Sequence, residues 1–181
     1  MAGMPERTVS SRRAFSGRLL ALRVDEVELE SGRRATREVV EHPGAVAILA
    51  WDGERLAAVR QWRQAAAAEL LEIPAGTREP GEEPLVTAQR ELAEECGLSA
   101  SRWEEGPAFY TAPGFSTELL TLFLATDLST VDTPPPDDEA LERSWLTLPD
   151  ALSAVGDGRI CDAKSLVGIL WLARHLSPMS E

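Results

Sequence analysis

The sequence predicts an α/β protein of the α+β type, in which helices sandwich a mixed β-sheet. Its 181 residues are enough for one hydrophobic core, and 44% hydrophobic with 27% charged residues is typical of a globular domain. The predicted elements run in the order strands, helix, strands, helices, unlike the regular alternation of a parallel βαβ fold. We therefore expect one main domain, residues 43–177, preceded by an N-terminal β region at 14–42.

The first half of the chain is predicted to be mostly strands. Residues 1–13 are polar and small, and we expect them to be flexible. The segments RLLALRVDEVEL and RATREVVEH flank a turn at Ser31-Gly32-Arg33, which predicts a strand pair. GAVAILAW has the length and the continuous apolar character of a strand buried on both faces. The turn at Asp52-Gly53 leads into a further strand, RLAAVRQWR.

The second half adds three helices and further strands. After a charged loop we predict a helix from Pro84 to Cys96, because proline suits the first helical turn and Gly97 suits the position that ends a helix. AFYTAPG, ELLTLFLAT and LERSWLTL predict strands. LPDALSAVGDG and DAKSLVGILWLARHL predict two more helices, the second capped by Asp162.

The helix predicted after Pro84 places three glutamates on one face. Glu91, Glu94 and Glu95 project from the same side at 100° per residue, where like charges repel each other. Arg90 can hold Glu94 but cannot neutralise all three carboxylates. A hard divalent cation, Mg²⁺ or Mn²⁺, prefers such oxygen ligands. The alternative is a solvated acidic face, as on many glutamate-rich helices.

The net charge and the cysteine content narrow the range of possible functions. The net charge of −12 disfavours a general affinity for nucleic acids or anionic membranes, so a phosphate ligand would need a mediating cation. Cys96 and Cys161 match no zinc or disulfide spacing, which indicates reduced thiols in a cytoplasmic protein. No segment resembles a signal peptide or a membrane span, and we expect a soluble protein.

The charged stretch carries a known motif. Gly76, five residues, Glu82, seven residues and then the run RELAEECGL from Arg90 to Leu98 resemble the Nudix box. The segments TREVVEHPGAVAI, VRQWRQAAAAELLEIPAG and TAPGFSTE resemble the ADP-ribose pyrophosphatase branch of that family, over roughly residues 16–176. Pro113 stands fifteen residues after Leu98, where this branch has its customary substrate marker. The resemblance implies the Nudix-type α/β/α sandwich.

The resemblance also implies a reaction and its metal ligands. Proteins of this branch hydrolyse ADP-ribose to AMP and ribose 5-phosphate with Mg²⁺, for which Mn²⁺ is a possible substitute. By position, Glu91, Glu94, Glu95 and the carbonyl of Ala75 would bind the metal, and Arg90 would orient the glutamates. Glu82 would be either an outer ligand or a structural brace. Gly76 and Gly97 would have structural roles in the box.

The general base is expected in the acidic segment PPPDDEALERSW. Relatives of this branch draw the base from a loop after the box. Glu139 is the preferred residue, with Asp138, Glu142 and a box glutamate as alternatives. The segment could equally be a solvated acidic connector.

Substrate contacts and a dimer are further implications. Arg63 would clamp the diphosphate, or else be a surface arginine. Arg37 and Glu38 would lie near the adenine. Pro113, Gly114 and Phe115 would line the terminal ribose, although Phe115 could also be a core residue. Relatives exchange N-terminal strands, which implies a homodimer with part of the pocket from the partner. The full set of expected substrate contacts is Arg37, Glu38, Arg63, Glu72, Pro113, Gly114 and Phe115.

Two rival functions stay open. The first is a pyrophosphatase for another nucleoside diphosphate sugar or a dinucleotide, since the box fixes the reaction and not the leaving group. The second is a sensor that binds ADP-ribose without cleaving it. Such sensors usually lack box glutamates, and none is missing here.

Overall fold

The computed structural model of the protein describes residues 6–133 and 141–177. Within these residues the chain forms ten strands and three helices. In chain order they are β1 (Glu6–Ser16), β2 (Ala21–Leu29), β3 (Arg34–Glu41), β4 (Ala45–Ala50), β5 (Arg55–Arg63), β6 (Ala68–Glu72), β7 (Ala75–Thr77), α1 (Pro84–Cys96), β8 (Leu98–Tyr110), β9 (Leu119–Thr130), β10 (Leu141–Thr147), α2 (Leu148–Gly156) and α3 (Ala163–Leu176).

The chain divides into two compact units. The N-terminal unit contains the residues up to Gly44 together with Tyr110–Leu119, and the second unit contains Ala45–Phe109 and the residues from Leu120 onward. No helix in the described part of the chain has both the length and the apolar character that crossing a bilayer requires.

The N-terminal unit is an antiparallel sheet in the order β1-β2-β3. The prediction that residues 1–13 are flexible is wrong for residues 6–13, because these residues form most of β1. β1 is polar and mostly exposed, so no hydrophobic alternation marks it as a strand. Backbone pairing with β2 and ion pairs hold it instead, including Arg13 Nη2 to Glu41 Oε2 at 2.7 Å and Arg7 Nη2 to Glu28 Oε1 at 3.2 Å.

The segment Tyr110–Leu119 also belongs to the N-terminal unit. Val40 donates its backbone N–H to Phe115 O at 2.7 Å and accepts from the N–H of Thr117 at 2.9 Å. The strand predicted over residues 108–114 therefore ends earlier than expected, since β8 stops at Tyr110. The predicted domain boundary near residue 43 assigns Tyr110–Leu119 to the main domain, whereas the structure groups this segment with the N-terminal strands.

The second unit contains the mixed sheet that the sequence predicts. Its strands lie in the order β7-β4-β9-β8, with β4 parallel to β9 and antiparallel to β7. A second antiparallel sheet has the order β10-β5-β6. β4 is buried along its whole length, as expected of a strand covered on both faces.

Alternate side chains of β4 enter two separate hydrophobic clusters. Ala47 and Leu49 pack in a cluster with residues of α2 and α3. Val46 and Ile48 pack in the other cluster with Leu92 and other residues of α1. Successive side chains of a strand point to opposite faces, so α1 covers one face of the sheet and α2 with α3 the other. The predicted fold class is confirmed.

α1 begins and ends where the sequence predicts. Pro84 occupies its first turn, and Gly97 follows Cys96 with a left-handed φ of 63°, donating its N–H to the carbonyls of Ala93 and Leu92. Arg143 from β10 caps the same end, with Nε donating to Glu95 O at 2.7 Å and Nη2 to Glu94 O at 3.2 Å. The last carbonyls of a helix have no hydrogen-bond donor within the helix, and Arg143 donates to two of them.

Candidate active site

The acidic face of α1 lies against the turn that leads into β7. Ala75 donates its backbone N–H to Oε2 of Glu95 at 2.9 Å. Glu95 is only 3% exposed, which is unusual for a carboxylate and requires strong local compensation. The turn itself is fixed to the centre of the sheet, because Ile48 donates its N–H to Pro74 O at 2.8 Å.

One arginine holds most of the carboxylates on this face. Arg90 Nη1 donates to Glu91 Oε1 at 2.7 Å and to Glu94 Oε2 at 3.1 Å. Its Nε and Nη2 form a two-pronged pair with the two carboxylate oxygens of Glu82, both at 3.1 Å. The hydrogen bonds to Glu82 raise the pKa of Arg90 most, and the charge of Glu91 with the hydrogen bonds to Glu91 and Glu94 raises it further, well above its usual range. We call Arg90 with Glu82, Glu91 and Glu94 the Arg90 cluster.

Glu82 is held firmly in that cluster. The hydrogen bond from Arg90 is the main cause that lowers its pKa from 4.5 to about 2, outweighing its burial. Its Oε2 also accepts the N–H of Glu79 at 3.0 Å and the hydroxyl of Thr87 at 2.8 Å. These contacts engage both oxygens of Glu82. The choice between an outer metal ligand and a structural brace stays a prediction.

Gly76 is required by the position of Glu91. A Cβ atom at residue 76 would lie 1.9 Å from both Cδ and Oε1 of Glu91, far inside van der Waals contact. Only glycine lets the backbone of β7 approach the carboxylate so closely. The box glycine therefore serves packing, since its φ is not among the positive ones.

The donor set at this face suits a divalent cation. Glu91, Glu94, Glu95 and the carbonyl of Ala75 would contribute only oxygen atoms, which Mg²⁺ and Mn²⁺ prefer. In the described residues, Glu91 and Glu94 share Arg90 and Glu95 binds the N–H of Ala75, and no group of three or more acidic, histidine or cysteine side chains is gathered as metal ligands. Cys96 offers no ligand, because burial and the nearby Glu95 raise the pKa of its thiol to about 12.

A second charged network lies at the ends of β5 and β6. Arg63 donates to both carboxylate oxygens of Glu72, from Nε at 3.0 Å and from Nη2 at 2.7 Å. Lys164 of α3 donates to the same carboxylate and to Oδ2 of Asp162, the latter at 2.8 Å. Burial raises the pKa of Glu72, but the hydrogen bonds from Arg63 and the charge of Lys164 outweigh it, and the net direction is downward.

Family models match nearly all of the described chain. A model described as the NUDIX domain matches residues 41–166, and a model described as the nucleoside diphosphate sugar hydrolase N-terminal domain matches residues 6–40. The chain belongs to the Nudix family. The resemblance inferred from the box is thereby confirmed, and the second match begins at the first residue of β1.

Several Nudix relatives align over most of the chain. An ADP-ribose pyrophosphatase of Bacillus subtilis is 42% identical and covers 95% of each chain. One of Mycobacterium tuberculosis is 40% identical over 94% of this chain and 84% of that protein. The crystal structure of an ADP compounds hydrolase superposes with a TM-score of 0.85, at 20% identity and over 96% of this chain and 95% of that one. The last comparison shows that the two chains share a fold.

The other predicted substrate contacts lie in the N-terminal unit. Arg37 is ion-paired with Glu6, Nε to Oε2 at 3.1 Å, and Glu38 is exposed on β3. Pro113 and Gly114 are exposed. Phe115 is 59% exposed, so its interpretation as a core residue is wrong. These five residues belong to the N-terminal unit.

The predicted general base falls mostly outside the described residues. Glu139 and Asp138 lie in the range 134–140, which the structure does not describe. Glu142 is exposed on β10, where it pairs in register with Arg60 of β5. The choice among these acids stays a prediction.

Sequence reasoning missed two cations of this Nudix domain. Arg143 and Lys164 both bind groups far away along the chain, at Glu95 and Glu72. No local pattern marks such a contact. Lys164 is the only lysine in the sequence, but that observation identifies no partner for it.

We expect Gly76→Ala to destabilise the protein by about 1–3 kcal/mol, because the new methyl group must push the Glu91 side chain or β7 away. Thermal or urea unfolding measures this loss. The control is Gly156→Ala, where a Cβ would meet nothing within 4 Å. Adding Glu91→Ala to Gly76→Ala should restore most of the stability, because the clash is removed. Equal stability of Gly76→Ala and Gly156→Ala would contradict the close approach.

Acid should remove the contribution of Glu82 to stability at unusually low pH. Its folded-state pKa lies near 2, against an ordinary 4.5, so its contribution is complete above about pH 4.5 and is lost as the pH falls through about 2. We expect Glu82→Gln to cost about 1–3 kcal/mol at neutral pH and progressively less below pH 4.5.

Urea unfolding of wild type and Glu82→Gln across that pH range measures the difference. Glu69→Gln is the control, because Glu69 forms an exposed pair with Arg60. A stability gap that stays constant down to about pH 2 would show that Glu82 is not held as an anion.

Proposed function

We propose that this protein hydrolyses the pyrophosphate bond of ADP-ribose in a Mg²⁺-dependent reaction, releasing AMP and ribose 5-phosphate. The observation that carries the proposal is the complete box with its fixed geometry: Arg90 holds Glu91 and Glu94, and Glu95 is set against Ala75. Relatives called ADP-ribose pyrophosphatases, at 40–42% identity over most of the chain, support the choice of substrate.

The acidic residues of α1 would hold the metal. Glu91, Glu94 and Glu95 are proposed as ligands, together with the carbonyl of Ala75, and bound Mg²⁺ would supply charge neutralisation for the diphosphate and activation of water. The role of Arg90 is to keep the carboxylates together before the cation arrives. Its hydrogen bonds to Glu82 fix it in place, so Glu91 and Glu94 are oriented without a loss of side-chain entropy at the moment of binding.

Further residues are proposed from the family. Glu139 is the preferred general base, and Asp138, Glu142 and a box glutamate are the alternatives. Arg63 would bind the diphosphate, because a guanidinium fork matches phosphate oxygens. Glu72 supports this role by the hydrogen bonds it accepts from Arg63.

Further substrate contacts are proposed in the N-terminal unit. Arg37 and Glu38 are proposed near the adenine, and Pro113, Gly114 and Phe115 near the terminal ribose. The exposed ring of Phe115 supports a contact with a ligand or partner. We also propose a homodimer in which residues 14–42 contact the second subunit. Two free thiols, Cys96 and Cys161, support a cytoplasmic location.

Substrate choice is tested by measuring AMP or GMP release from ADP-ribose, NADH, ADP-glucose and GDP-mannose. We expect the highest kcat/KM for ADP-ribose. GDP-mannose is included because GDP-mannose pyrophosphatases of Yersinia pestis are 30% identical over 80% of this chain. Equal or better turnover of another substrate would overturn the assignment to ADP-ribose and leave the pyrophosphatase reaction. Binding without turnover of any substrate would favour a sensor.

Glu95→Gln should lower kcat by about two orders of magnitude or more, because it removes one negative charge from the proposed metal site. The amide oxygen can still accept the N–H of Ala75, so the melting temperature should change little. Glu83→Gln is the matched control, since Glu83 is exposed just before α1 and makes no side-chain capping bond. Normal turnover by Glu95→Gln would contradict the metal role of this residue.

A further inference from the structure

Two of the proposed metal ligands lie at the very end of α1. Glu94 and Glu95 directly precede Cys96, the last residue of the helix. Helix ends fray, because their last carbonyls have no donor within the helix. A carboxylate in this turn keeps a fixed position only if the backbone that carries it is held. The proposed metal site therefore depends on the contacts that hold the end of α1.

The carbonyls of the last turn are divided between two donors. Gly97 donates its N–H to two earlier carbonyls of the helix. The next two carbonyls accept from the guanidinium of Arg143, that of Glu95 from Nε at 2.7 Å and that of Glu94 from Nη2 at 3.2 Å. The guanidinium also lies directly against the residue that ends the helix, since a Cβ atom at Gly97 would be 2.8 Å from Nη1 of Arg143. Arg143 thus binds the backbone of two proposed metal ligands.

Arg143 acts from a support that does not depend on its own side chain. It belongs to β10, which pairs with β5 from Leu141 to Thr147, and it lies in register opposite Val59. Val59 is buried and packs in the same hydrophobic cluster as Leu92 of α1. The sheet and the core therefore set the position of β10 beside α1, and the guanidinium reaches the end of the helix from a fixed strand.

Glu94 and Glu95 are each held at two points. At the side chains, Arg90 donates to Oε2 of Glu94 at 3.1 Å and Ala75 donates its N–H to Oε2 of Glu95 at 2.9 Å. At the backbone, Arg143 holds both carbonyls. A cation bound by the carboxylates would compete with the side-chain contacts, whereas the carbonyl contacts would persist. The backbone contacts are therefore the ones that would orient these residues while metal is bound.

We propose that Arg143 is a positioning residue for metal binding: it fixes the last turn of α1 so that Glu94 and Glu95 present their carboxylates in the arrangement that a divalent cation needs. This inference rests on the proposed function, in which both glutamates bind the metal. The alternative is a helix cap that contributes only to stability. The charge of Arg143 by itself acts in the opposite direction, because removing a cation beside an acidic face favours the binding of another cation. Weaker metal binding without Arg143 would therefore indicate lost positioning.

The test is a titration of the full-length protein with Mn²⁺ in the absence of substrate, in which electron paramagnetic resonance measures free Mn²⁺. Arg143→Met should bind Mn²⁺ about tenfold more weakly than wild type, as for the loss of other groups that orient metal ligands. Thr147→Ala is the matched control, because it removes the side-chain cap that accepts the N–H of Asp150 at the start of α2. It should lower the melting temperature and leave Mn²⁺ affinity unchanged. Thermal unfolding confirms that each variant is folded at the titration temperature.

Each outcome of the titration decides the proposal. A loss of less than about threefold in folded Arg143→Met, or tighter binding, would overturn it and leave a capping role. If Arg143→Met does not fold, Arg143→Gln replaces it, because its shorter neutral side chain cannot make both contacts but suits an exposed position. Mn²⁺ binding at least about threefold weaker than wild type in that variant supports the proposal, and equal affinity overturns it.

Failure of the proposed function gives a different signature. If the wild-type protein binds Mn²⁺ but does not hydrolyse ADP-ribose, the assigned reaction is wrong, and weaker Mn²⁺ binding by Arg143→Met still supports the role of Arg143. If the wild-type protein takes up no Mn²⁺ with or without ADP-ribose, both the metal site and the role of Arg143 are overturned.

Discussion

The shared guanidinium of Arg90 is the interaction on which the acidic face depends. Three carboxylates, those of Glu82, Glu91 and Glu94, converge on one cation that is itself partly buried. Without it, like charges on adjacent turns of α1 would repel each other in a medium that screens them poorly. Glu82 is the most strongly held of the three carboxylates. Nε and Nη2 of Arg90 each donate to one of its oxygens, and the hydroxyl of Thr87 donates to the same carboxylate.

Placing these charges costs stability, and the fold limits the cost by keeping them at the border of a large apolar core. α1 buries Ala88 and Leu92 completely against the sheet while its acidic side faces the turn at Ala75. The same turn is tied to β4 through Pro74 and to α3 through Ile73. Packing of the apolar core therefore holds in place an acidic face whose own electrostatics are unfavourable.

The sequence predicts those features of the fold that depend on residues close together in the chain. Pro84 and Gly97 delimit α1, and the apolar run that became β4 was recognisable because burial on both faces leaves no polar alternation. The Arg90 contact with Glu94 follows from helical spacing, but its paired contact with Glu82 does not, since a loop separates them.

The remaining features depend on contacts between distant parts of the chain. β1 is a strand by virtue of its partner β2, although its own residues are polar and exposed. Arg143 and Lys164 reach groups that the fold alone brings near. The central sheet has the same property, since Ala45 of β4 lies beside Leu120 of β9. During synthesis α1 therefore leaves the ribosome before β9, the strand that completes the sheet against which α1 packs. Until β9 has been synthesised, the apolar face of α1 stays incompletely covered, and chaperones bind exposed apolar surfaces of this kind.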